Sequence, residues 1–144
     1  MPDSLFHWRN FSVEQKERLA GKVAEVLASH SEVVFAYLHG SFVNEVNFRD
    51  LDVAVYVKPQ TINREALRGY ESDLVTELQG TLKVPVDVRV LNDAPLAFRF
   101  HAIRGRLLIV RDPDLLDEYR ARTWDDYFDF VPFARQYLRE AICE

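Results

Sequence analysis

Tyr37-Leu38-His39-Gly40-Ser41, then eight residues of loop, then Asp50-Leu51-Asp52-Val53-Ala54-Val55-Tyr56-Val57 is the stretch that decides the fold. An apolar run ends in Gly-Ser, a polar segment follows, and a second apolar run opens on two aspartates separated by one leucine. That pattern predicts strand, turn, strand. Side chains two apart on a strand share a face, with Cα atoms roughly 6.5 Å apart, so Asp50 and Asp52 present paired carboxylates. Leu51, Val53, Val55 and Val57 then point the other way, into a core. Two like charges at that separation repel, and a cation between them is the usual physical reason to tolerate the pair. Oxygen-only ligands select a hard ion, Mg²⁺ foremost.

Outward from this stretch the chain alternates helical and strand patterns. Ser12 and Gln15 can form a capping box, and Leu19, Ala20, Val23, Val26 and Leu27 recur at helical spacing, which predicts a helix over residues 12–29. Phe6, Trp8 and Phe11 would dock the preceding segment. Val33 to Leu38 is a continuous apolar run suited to a buried strand. Lys58-Pro59-Gln60 stops strand pairing; Thr61 to Gln79 carries Leu67, Tyr70, Leu74, Val75 and Leu78 at helical period, closed by Gly80. Val86-Asp87-Val88-Arg89-Val90 reads as a strand with Asp87 opposite the valines. Asn92 or Asp93 would cap a shorter helix holding Leu96, Phe100 and Ile103; Gly105 ends it, and Leu107 to Val110 is a further strand. Asp112-Pro113 starts a last helical stretch that Pro132 should bend or interrupt.

The 144 residues suit a single domain, 1–144, with no internal repeat, linker or low-complexity segment. An apolar fraction of 48% and a charged fraction of 28% are ordinary for a globular protein. A net charge of −5 disfavours wrapping of a nucleic-acid backbone, so no direct nucleic-acid binding is expected. Cys143 has no internal partner for a disulfide, which fits a reducing cytoplasm. The N-terminus lacks the pattern of a secretory signal, and no apolar run reaches membrane-spanning length, so neither secretion nor insertion is expected.

Gly40-Ser41, a polar loop, then Asp50-x-Asp52 at the head of a strand resembles the signature of the nucleotidyltransferase superfamily. The short length is similar to the minimal nucleotidyltransferases (MNT), the antitoxin half of HEPN/MNT toxin–antitoxin pairs. That family has a third aspartate on a later strand, which Asp87 supplies here. Leu91-Asn92-Asp93-Ala94-Pro95-Leu96 and Gly105-Arg106-Leu107-Leu108-Ile109-Val110 are also similar to the family's run, so the resemblance spans roughly residues 33–140. It implies an α/β fold: a small mixed β-sheet of about four strands packed by helices on one face, polymerase-β-like, with a C-terminal helical segment. The loop Phe42 to Arg49 departs from the family, being shorter and lacking its usual glycine and arginine.

The reaction the resemblance implies is transfer of a nucleoside monophosphate from a triphosphate to an acceptor, with release of pyrophosphate. Asp50 and Asp52 would bridge paired Mg²⁺ ions; Asp87 would bind the ion at the acceptor hydroxyl and can also take its proton. Gly40 and Ser41 would hold the β- and γ-phosphates through close backbone approach and a hydroxyl donor. A lone aspartate at a strand end more often caps a turn, but three of them in this order downstream of Gly-Ser favour the metal site. His39 is expected to be packed or solvated, and Arg49 to lie in solvent, with a phosphate contact as its alternative.

Trp124, Tyr127, Phe130, Phe133 and Tyr137 do not fit one narrow helical stripe. About half of the aromatic rings there would complete the core, and the remainder suggest that residues 114–142 dock a protein partner. Arg99, Arg104, Arg106, Arg111, Arg120 and Arg122 would steer an acidic partner or lie solvated. The resemblance thus implies an antitoxin enzyme that moves AMP from ATP to a hydroxyl, on a tyrosine, of a cognate HEPN ribonuclease toxin, in a hetero-oligomer. The rival readings are occlusion of the toxin without turnover, and transfer to an aminoglycoside-like hydroxyl, for which the chain lacks the usual second domain.

Overall fold

Ser12 sets the first long element. Its hydroxyl accepts from the Gln15 N–H while the Gln15 side chain accepts from the Ser12 N–H, a capping box that opens α1 (Val13–Ala28). The computed structural model describes residues 9–44 and 47–142; Phe6, Trp8 and Cys143 lie outside the described residues. A two-residue strand β1 (Arg9–Asn10) precedes the helix, and the expected strand β2 (Val33–His39), buried at every position, follows it. The segment read as loop instead contains a short helix, α2 (Ser41–Asn44), and a strand β3 (Asn47–Phe48) paired antiparallel to β1. Elements of two to four residues are too short to leave a periodic signature. The pairing brings Phe48 edge-on to Phe11 and Phe42, with ring centroids 5.3 and 4.8 Å apart.

Next come β4 (Leu51–Val57), a 3₁₀ turn at Arg64–Ala66, α3 (Leu67–Leu82), β5 (Val86–Val90), α4 (Leu96–Ile103), β6 (Arg106–Val110) and α5 (Pro113–Ile142). The four long strands form one mixed sheet in the order β5-β4-β2-β6, with β4 and β5 parallel and the other pairs antiparallel. The expected packing of helices on one face holds for α1 and α3, which cover Val53, Val55, Val86 and Val88. The opposite face is covered as well: Phe35, Tyr37 and Ala54 bury against Ala102 and Ile103 of α4 and Leu116 of α5.

Three helix ends differ from the sequence reading. Gly80 does not close α3; Leu78 and Leu82 are both buried, and that contact carries the helix two residues past the glycine to Lys83, which caps it at φ 61°. Neither Asn92 nor Asp93 caps α4, whose N-cap is Pro95. Asn92 exchanges hydrogen bonds with the backbone of Val57, and Asp93 faces Arg64. Pro132 interrupts nothing: α5 runs 30 residues through it. The proline is exposed, so water can serve the carbonyl it leaves free. The start of α5 is as expected, with Asp112 accepting from the N–H groups of Asp114 and Leu115.

The arginines expected to steer a partner are mostly engaged within the chain. Arg111 donates to the carbonyls of Val33, Leu27, Ala28 and His30, closing the C-terminal end of α1. Arg106 forms a two-pronged pair with Glu17, Arg99 faces Asp126, Arg120 donates to the Tyr37 hydroxyl, and Arg122 faces Glu118.

Candidate active site

Strand register brings the predicted residues together. Asp52 on β4 stands opposite His39 on β2 and opposite Asp87 on β5. Neighbouring strands lie roughly 4.8 Å apart, so the three side chains form a row on the face shared with Tyr37 and Ala54. Asp50 lies just ahead of β4, half-buried, beside the same strand end. Gly40 follows His39 at φ +78°, a left-handed conformation, and a Cβ there would collide with the Asp52 carboxylate oxygen. Position 40 thus requires glycine on two counts. Ser41 opens α2 directly behind it.

The electrostatics match this crowding. Burial pushes the Asp52 carboxyl up to about 7, and the charges of Asp50 and Asp87 add to the rise while Arg89 opposes it. Asp87 is more open, with Arg89 Nε 4.0 Å from its carboxylate. Among the described residues no group of three or more His, Cys, Asp or Glu side chains is closed around a point where a metal ion would sit. The donor set nevertheless fits a hard divalent cation: of three carboxylates near one strand end, two raise the third by their charge, which the charge of such an ion would relieve.

His39 is packed, as expected, but not idle in its surroundings. It is only 7% exposed, and its ring meets Phe98 and His101 edge-on at 5.2 and 5.4 Å. Its Nε2 has no hydrogen-bond partner. Burial, then the His101 charge, pushes its pKa down to about 4, with Asp87 and Arg89 acting in opposite senses. Arg89 lies over the other neighbour, with its guanidinium 5.3 Å from the Phe98 ring.

Helix α4 therefore forms a wall beside the carboxylate row, which the sequence reading missed. Phe98 and His101 are three apart and face the site, whereas Phe100 faces α5 and stacks flat on Tyr127 at 3.7 Å. Only that three-residue spacing marked the wall, and the apolar stripe of the same helix masked it.

With this geometry in hand, comparison with known proteins defines the class. Residues 21–114 match the polymerase beta, nucleotidyltransferase family, and the chain belongs to that family. No protein of curated function matches it. Among solved structures it resembles a chain of the Shewanella oneidensis complex between a tri-AMPylated HEPN toxin and an MNT antitoxin. There the identity is 18%, the alignment covers 90% of this chain and 99% of that one, and the TM-score is 0.66. It also resembles a chain of the MntA–HepT toxin–antitoxin complex (18% identity, 89% and 99% coverage, TM-score 0.65). A toxin–antitoxin structure with AMP-PNP is similar to the same degree (20%, 87% and 98%, TM-score 0.67). These likenesses show a shared fold. Among the described residues no helix is long and apolar enough to cross a membrane.

Proposed function

We propose that the chain is an antitoxin of the MNT kind, a single 144-residue domain acting in the cytoplasm. It transfers AMP from ATP to a tyrosine hydroxyl of a HEPN ribonuclease toxin and thereby silences it. The observation that carries this reading is the register of Asp52 with Asp87, with Asp50 just ahead and Gly40 fitted against the Asp52 carboxylate. The AMPylated toxin and the AMP-PNP in the complexes of structural neighbours support the choice of group and acceptor.

Asp50, Asp52 and Asp87 would hold Mg²⁺. Bound there, the ion would supply positive charge that offsets the negative charge developing in the transfer. Gly40 and Ser41 would keep the β- and γ-phosphates close to the backbone. Asp87, the most open of the three carboxylates, would receive the acceptor's proton. The toxin would seat against α5, where Phe128, Phe130, Phe133 and Tyr137 are exposed.

That apolar face also favours a second reading, occlusion without turnover, because it needs none of the carboxylates. Labelled ATP, this protein and the HEPN partner, incubated together, decide between them: label on a partner tyrosine is expected. Its absence with a competent toxin removes the enzymatic reading. Full protection of cells by the Asp50→Ala, Asp52→Ala double variant would favour occlusion.

A further inference from the structure

Between α4 and the end of β2 lies a cleft of about 270 Å³ lined by His39, His101, Arg104 and Gly105. Among the described residues its lining is imidazole, guanidinium and backbone, although Asp52 stands one strand away opposite His39. Gly105 keeps it open: a Cβ there would collide with the Leu38 carbonyl oxygen and come within 3.1 Å of His39 Cβ. In the wall, His39 holds a buried ring nitrogen without a partner. An unpaired buried donor is costly, so a site that leaves one is completed by a ligand that accepts a hydrogen bond. Among the described residues the Arg104 guanidinium rests over the Phe100 ring at 5.3 Å, its hydrogen-bond donors left for a ligand.

A guanidinium beside imidazole donors selects an anion, and its position selects which one. The cleft adjoins Gly40, next in the chain after His39, and is smaller than the roughly 300–1,000 Å³ typical of sites that enclose a whole drug-sized ligand. It suits a chain of phosphates better than a complete nucleotide. We propose that His39, His101 and Arg104 form an oligophosphate subsite that holds the triphosphate tail, leaving the α-phosphate before Asp52. This rests on the transferase reading above. In the transfer, the acceptor oxygen bonds to the α-phosphorus and loses its proton, and the bond from that phosphorus to the bridging oxygen breaks. The electron pair leaves with pyrophosphate into the cleft, where Arg104 and the imidazole N–H groups stabilise the growing charge.

The test uses the full chain and inorganic pyrophosphate, without nucleotide, divalent ion or protein partner. Pyrophosphate is expected to shift the imidazole ¹⁵N signals of His39 and His101. Arg104→Gln should weaken its binding about tenfold, Arg104→Lys should restore part of that loss, and His101→Gln should weaken it less. AMP, which carries one phosphate and mimics an acceptor already modified, should leave both imidazoles unmoved. Unchanged pyrophosphate affinity in Arg104→Gln and His101→Gln overturns the subsite, as does AMP shifting the same signals as strongly. Because binding is read without acceptor or turnover, these results stand apart from any failure of label transfer.

Discussion

Around Asp52 the chain gathers carboxylates, whereas along α5 beyond Tyr127 it displays apolar surface. The first region sits at the strand ends: three strands in register, a glycine against a carboxylate, an imidazole buried without a partner. The second is the far end of a 30-residue helix, where Phe133 and Tyr137 are 68% and 66% exposed. Each lacks what the other does not need. The strand-end site calls for cations and phosphate, and the helix end calls for an apolar surface. Chemistry and docking are thus physically separable, and variants can address them one at a time.

The largest effect falls on the charged region. Asp52→Asn should lower AMP transfer roughly 10³-fold. The same change should stabilise the metal-free protein at neutral pH. The Asp52 carboxyl lies near 7 in the fold against 3.8 for the free group, so the folded state holds a proton that the unfolded state has lost. This penalty is absent below pH 3.8 and grows as pH rises towards 7. Melting curves of wild type and Asp52→Asn should therefore coincide near pH 4 and separate by pH 7, with the variant higher.

On the apolar side, the Phe133→Ser, Tyr137→Ser pair should weaken partner binding by roughly 100-fold while leaving the melting temperature almost unchanged. Phe100→Ala sharpens the contrast. Phe100 stacks on Tyr127, where α4 anchors the near half of α5, so its loss should cost about 2 kcal/mol of stability by denaturant titration. The smallest effect is thermal: millimolar Mg²⁺ should raise the melting temperature of wild type by a few degrees and leave Asp52→Asn unmoved.

Much of this was legible where a local rule and the tertiary packing agree. The capping box at Ser12, the Asp112-Pro113 start and the alternation of Val86, Val88 and Val90 each have the outcome that their chemistry predicts. Gly80 misled because a helix former's usual stop was outweighed by the burial of Leu82 two residues later. Asn92 looked like a cap, but both ends of its amide serve the Val57 backbone. His101 gave only its three-residue spacing from Phe98, since a histidine on a short helix gains meaning once β2 places His39 beside it. The aspartates could be named from order alone; the arrangement of Asp52 against Gly40 required the strand register.

Anomalous diffraction from crystals grown with Mn²⁺ and a non-hydrolysable ATP analogue tests the central claim most directly. The account predicts a manganese peak in direct coordination distance of Asp50, Asp52 and Asp87, with the analogue's phosphates reaching from it towards His39. A fully occupied analogue with no manganese at these carboxylates would contradict it.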